Sequence, residues 1–343
     1  MKNHKTESIA YIQWLRLFAA AAVVVMHTEG KRWMSVSHES AEWSVLTLYD
    51  GFVRWPVPVF LMITGALFLP RVTPLKTVFK RYIPRMVLAF VLWSGIYALY
   101  ALYRGAAPGA ALLKFVGGEY HLWYLPFLCG VYLVLPFLQR IVSDGKLGKQ
   151  LLAVSVVIGL GIPWLADLAA VLLPQSSQIV RSLENSLHYT FFFDHLSLLL
   201  LGHFLHQRAL PLWQRRILYA LGVLSLVITG PATIWISRRT GFQNSLFCDI
   251  AAPNVLLPAA ALFVFAKAHL GALPKTVDAL ARLSFGVYLS HVLLIDVLAD
   301  LGYHTLRFDP VWFLPVLSAV VFLLSAVLTA VLSRLPGLGK LLT

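Results

Sequence analysis

The chain has 343 residues, 59% of them apolar and 13% charged, with a mean hydropathy of +0.77. Soluble domains run nearer half apolar and a quarter charged. The composition therefore excludes a soluble enzyme, a disordered chain and a nucleic-acid binder, despite a net charge of +13. The longest polar stretch, roughly Glu29 to Asp50, reads as a loop too short to bury a second core, which leaves one membrane-embedded domain over residues 1–343.

Ten apolar stretches approach the ~20 residues that a spanning helix needs. In chain order they are 9–28, 51–69, 83–103, 121–139, 151–173, 190–206, 217–236, 251–267, 284–302 and 311–333. The pattern predicts an all-α, polytopic membrane helix bundle with both termini cytoplasmic. On that assignment 18 of the 28 Lys and Arg residues fall inside, nine outside, and Arg16 within the bilayer. The bias agrees with the positive-inside rule, so the excess charge is mostly topology.

The first stretch holds Arg16 and ends on His27 without a convincing cleavage site, and reads as a retained helix. Trp14, Trp55, Trp123, Tyr189 and Trp312 fall near span ends, as interface anchors do. Cys129 and Cys248 make neither a disulfide framework nor a zinc site. HExxH, phosphate-loop and GxSxG patterns are missing, so no metal or serine-hydrolase chemistry is expected.

Ionisable side chains inside a span are costly and mark a functional site or a wet interior. Arg16 and His27 lie 11 residues apart, which on a helix leaves about 20° of rotation and ~16 Å of rise. They share one face. Arg16 would then fix an anionic or carbonyl-bearing ligand while His27 acts as a general base. The alternative is that Arg16 snorkels to the inner interface and His27 caps the outer end.

In the ninth stretch Ser284, Tyr288 and His291 follow a 4-then-3 spacing along one face, with His291 near mid-membrane. Either a ligand contact or a hydrogen bond across the bundle accounts for that histidine. Between the second and third stretches, Lys76 with Lys80 and Arg81 with Arg85 form two basic rows that suit a phosphate-rich ligand such as coenzyme A. Topological bias alone also produces such a cluster. Glu29, Asp50, Glu119 and Asp194 lie on the outer side, where one could orient a histidine, although most read as solvated loop residues.

Several of these segments resemble one family. Arg16 and His27, with ten residues between them, resemble the first-helix signature of the acyltransferase-3 family of bacterial integral-membrane O-acyltransferases. Pro58-Val-Phe-Leu-Met-Ile-Thr-Gly65 resembles the family's second helix, with Thr64 where serine is common. Lys80, Arg81 and Arg85 match the basic start of its third helix, and His121-Leu-Trp-Tyr-Leu125 and Ser284-Phe-Gly-Val-Tyr-Leu-Ser-His291 match its fourth-helix and late-helix motifs. The likeness runs from about residue 8 to 334 and is nearest to stand-alone polysaccharide O-acetyltransferases such as the enterobacterial common antigen type.

The resemblance implies transfer of an acyl group, usually acetyl from acetyl-CoA, to a hydroxyl of a cell-surface glycan or its lipid-linked precursor. It implies His27 as base or transient acyl carrier, Arg16 as its partner, and Lys80, Arg81 and Arg85 as acyl-CoA contacts. Ser284, Tyr288, His291, His121, Glu119 and Asp194 become pore-lining candidates. Acetyl-CoA enters as a substrate, with no bound cofactor expected. The implied setting is the bacterial cytoplasmic (inner) membrane, with polysaccharide-assembly proteins as possible partners and no nucleic acid. Two other readings remain: a transporter or flippase of lipid-linked glycan, which lacks the expected internal repeat, and an accessory subunit without activity.

Overall fold

The computed structural model describes residues 2–173, 190–250 and 252–335. These residues form helices and turns, with no strand among them, in an all-α polytopic bundle. The first helices are α1 (Lys2–Trp33), α2 (Ala41–Phe52) and α3 (Pro56–Phe68). A π-helical turn, Val78–Tyr82, leads into α4 (Ile83–Tyr103), followed by α5 (Pro108–Gly117). A 3₁₀ turn, Tyr120–Trp123, then leads into α6 (Tyr124–Ser143). Next come α7 (Gly145–Ser155), α8 (Ile162–Leu172), α9 (Thr190–Gln207), α10 (Leu212–Thr240) and α11 (Pro253–His269). The chain closes with α12 (Lys275–Arg282), α13 (Ser284–Asp300) and α14 (Pro310–Leu332). Tyr189 lies outside the described residues.

Among the described residues, eight helical segments are long and apolar enough to cross a bilayer. The pair α12–α13, bent by 62° at Leu283, makes a ninth if it counts as one span. Nine of the ten predicted stretches correspond to these segments. The predicted stretch 190–206 corresponds to α9, which is not among them because Asp194, His195, His203 and His206 dilute its apolar run. Leu196 to Leu200 of α9 are buried within the bundle, facing α3. A Cβ on Gly65 would lie 1.8 Å from the Leu199 carbonyl oxygen, and one on Gly202 would lie 2.1 Å from that of Met62. Only glycine lets these two backbones touch.

The Glu29–Asp50 stretch is not the expected loop. Helix α1 runs on to Trp33, and α2 begins at Ala41, where the Ser40 side chain accepts from the Trp43 N–H. Trp43, Leu46, Thr47 and Asp50 recur at helical spacing on the buried face of α2. Glu42 and Ser44 between them lower the local hydropathy and hide the pattern. Trp33 Nε1 donates to Thr47 Oγ1 at 3.0 Å, which ties α2 back onto α1. Pro56 opens α3 after the short break that follows α2.

Helices α1, α4 and α13 run parallel, and their contacts follow in order along all three. Near their starts the Arg85 guanidinium lies 5.3 Å from the centre of the Phe285 ring. Midway, Tyr97 Oη donates to the Leu289 carbonyl at 3.0 Å and accepts from the Leu293 N–H at 3.1 Å. At the far end Arg104 pairs with Asp300 at 2.9 Å and Lys31 with Asp296 at 2.8 Å. Lys80, Arg81, Arg85 and Arg282 thus gather at the opposite end of the bundle from Lys31 and Arg104.

Candidate active site

Arg16 and His27 line one cavity of about 360 Å3, as their common helical face requires. Residues of α3, α4, α6, α12 and α13 complete its wall. The lining is largely apolar, with Phe60, Ile63, Leu67, Met86, Leu128 and Phe285 among the side chains. Its polar groups segregate. Arg16, Arg85 and Arg282 belong to the end where α1, α4 and α13 begin, whereas His27 and His121 lie deeper.

The cationic end has distinct partners for each guanidinium. Arg282 pairs with Asp278 at 2.7 Å across one helical turn. Half-buried Arg16 has no carboxylate within ion-pair distance among the described residues, and its Nη1 donates to Gln13 Oε1 at 3.3 Å. A guanidinium in an apolar wall without a counter-ion is suited to an anionic or strongly polar ligand.

At the deep end the two histidines meet edge to edge, 5.0 Å between ring centres and 12° from parallel. His27 Nδ1 and His291 Nε2 are 2.6 Å apart, and His291 Nδ1 lies 3.0 Å from the Val287 carbonyl oxygen. A carbonyl can only accept, so His291 donates through Nδ1 and its Nε2 carries a lone pair. His27 then donates through Nδ1, which leaves the lone pair on its own Nε2. A backbone oxygen two steps away sets the base-competent tautomer of His27. The His121 ring packs edge-on, 5.0 Å from that of His291 and 6.1 Å from that of His27.

The sequence candidates divide cleanly. The cavity brings together Arg16, His27, Arg85, His121, Ser284 and Tyr288. Tyr288 Oη donates to the His121 carbonyl at 2.6 Å, locking the late-helix motif onto the 3₁₀ turn. His291 is fully buried and stands behind His27 instead of lining the space. Lys80 and Arg81 are exposed on the π-helical turn, outside the lining.

None of the four carboxylates orients His27, and the reading of them as solvated is corrected. Glu29 and Asp50 are fully buried, with Asp50 paired to Arg54 at 2.5 Å. Glu119 is 7% exposed and pairs with Lys114 at 2.6 Å, while Asp194 pairs with its neighbour His195 at 2.5 Å. Thr64, Tyr124 and Arg282 also line the cavity. The first two lie inside the quoted motifs, whereas Arg282 carried no sequence signal beyond its place before Ser284. Among the described residues, no group of three His, Cys, Asp or Glu side chains is arranged to hold a metal ion.

Residues 9–330 match the family described as the acyltransferase domain, of the acyltransferase-3 type. The chain belongs to the acyltransferase-3 family. The matched span contains every residue that lines the cavity. As an acyltransferase-3 protein it is a multi-pass membrane acyltransferase. Comparison with curated proteins and with solved structures gives no match.

Proposed function

We propose that this acyltransferase moves an acetyl or related acyl group from a coenzyme A thioester to a hydroxyl of a cell-surface glycan or its lipid-linked precursor. The reading rests on the single cavity that joins a guanidinium cluster at one end to a base-competent histidine at the other. Coenzyme A has the matching polarity, with charged phosphates on one end of a long, slender arm and the thioester on the other. Arg85 and Arg282 would hold the phosphates, assisted from the mouth by Lys80 and Arg81. The arm would pass between Phe60, Leu67 and Phe285, with Arg16 hydrogen-bonded to its amide or thioester carbonyl.

Transfer then balances in one step. His27 Nε2 takes the proton of the acceptor hydroxyl, and the oxygen attacks the thioester carbonyl. The C–S bond breaks as the C–O bond forms, and the departing sulfur receives the proton as the free thiol. His291 holds the growing imidazolium through the Nδ1 hydrogen bond. Stand-alone polysaccharide O-acetyltransferases, including the enterobacterial common antigen type, are the nearest functional analogy. A bacterial inner membrane would supply both the cytoplasmic donor and the lipid-linked acceptor.

The test uses membrane vesicles, acyl-labelled acetyl-CoA and a glycolipid extract of the source membranes. Wild type labels glycolipid, and His27→Ala at equal abundance lowers the rate by about 10²–10⁴-fold, the usual contribution of a positioned base. Undiminished labelling by His27→Ala rejects the mechanism.

A further inference from the structure

A second hollow, of about 420 Å3, opens at the end of the bundle where α1 and α13 finish. Tyr97, Tyr100, Arg104, Lys114, Glu119 and Asp296 are in its wall. A smaller hollow lies beside it, with Arg104 and Asp296 in the wall of both, and the larger one is the vestibule of this end. Helices α1, α4 and α13 are parallel, and Arg16 and Lys31 are 15 residues apart on α1. The vestibule and the cationic mouth therefore sit about 22 Å apart along the helix axis, at opposite ends of the molecule.

Three consecutive residues separate the two spaces. Glu119 lines the vestibule and His121 lines the deep cavity. Between them the Tyr120 ring stands edge-on to His27, 5.3 Å between ring centres, and 5.2 Å from the Lys31 ammonium one turn further along α1. His27 thus packs against the turn whose Glu119 side chain lines the vestibule.

The two ends differ in charge. In the vestibule wall Arg104 and Lys114 are balanced by Glu119 and Asp296. The ion pairs Lys114–Glu119, Lys31–Asp296 and Arg104–Asp300 are all formed. Each carboxylate retains acceptor positions that a single ion pair does not fill. Beside these groups the Tyr100 ring offers a flat apolar face. Such a wall favours an uncharged ligand with many hydroxyls and disfavours a polyphosphate.

We infer that the vestibule is the acceptor site, taking an uncharged polyhydroxylated ring from the side opposite the acyl donor. The turn 119–121, with Glu119 in one wall and His121 in the other, is the divider that moves aside to let one hydroxyl reach His27. The inference builds on the acyl-transfer reading and places donor and acceptor on different faces of the membrane.

The test uses full-length protein in proteoliposomes with labelled acetyl-CoA and the glycolipid extract. Ala106→Trp fills the vestibule from its rim, while Glu119→Gln and Asp296→Asn remove charge from its wall. Each is expected to raise the acceptor KM tenfold or more and leave the KM for acetyl-CoA unchanged. As a check independent of folding, Ala106→Cys is purified and then treated with a bulky, membrane-impermeant maleimide. Wild type, with Cys129 partly buried and Cys248 buried, is the labelling control. Modification should give the same split between the two KM values. Unaltered acceptor KM in the modified protein, with His27→Ala inactive, overturns the vestibule assignment alone. An active His27→Ala overturns the acyl-transfer reading beneath it.

Discussion

His27 and His291 come from helices 264 residues apart in sequence and act as one unit. If His291 fixes the His27 tautomer, its role is positional, and the side chain that replaces it decides the result. His291→Phe keeps a ring but removes the acceptor, and is expected to lower kcat at least tenfold with the acetyl-CoA KM unchanged. His291→Gln offers a carbonyl oxygen to the same N–H and should restore part of that loss. Steady-state kinetics of the two variants separate positioning from packing, because a packing defect would not be relieved by the polar residue.

The Arg16–His27 pair was legible in the sequence because helical geometry alone puts positions 11 apart on one face. The His27–His291 bond was not, since no local pattern reports which distant helix packs against α1. The acids were misread for a related reason. Glu29 and Asp50 look like solvated loop residues until α2 folds back over them, and burial of this kind is a tertiary property.

At the scale of elements, the cationic mouth depends on a short connection. Between α3 and the π-helical turn, Gln139 of α6 accepts from the Thr73 N–H at 3.0 Å. It also donates to the Phe68 carbonyl at 2.8 Å and to Thr73 Oγ1 at 3.0 Å. One side chain thereby satisfies three buried polar groups and fixes the approach to Lys80, Arg81 and Arg85. Gln139→Leu leaves them unpaired, at about 1–3 kcal/mol for each group that stays dry. Thermal unfolding in detergent should show a lowered Tm, and the acetyl-CoA KM should rise as the basic turn loosens.

Most helices were readable from hydropathy, and the exceptions share a cause. Hydropathy measures the average of a segment, whereas burial depends on one face. Helix α2 hides a buried face behind Glu42 and Ser44, and α9 carries three histidines and an aspartate yet packs in the interior. The contact of α9 with α3 through Gly65 and Gly202 is equally invisible to an average.

For the whole molecule, the parallel course of α1, α4 and α13 carries a topological prediction. Lys80 and Ala106 belong to opposite ends of the bundle. Lys80→Cys and Ala106→Cys should therefore react with an impermeant maleimide from opposite faces of a sealed vesicle. The positive-inside bias predicts that the Lys80 face is the cytoplasmic one. Reaction of both from one side would place the basic turn and the vestibule on the same face and contradict the parallel arrangement.

The thinness of the wall at the turn 119–121 has an electrical consequence. A protein hollowed from both faces, with one short turn between the hollows, would be built like a stoppered pore, and that turn would bear on the membrane potential as well as on access to His27. Each transfer cycle then has to open the stopper only while a ligand fills the space, or ions would follow. Glu119→Ala combined with His121→Ala should turn a silent protein into a leak, seen as a conductance in planar bilayers that the wild type lacks. Insulation would then be as much a requirement on this short turn as catalysis.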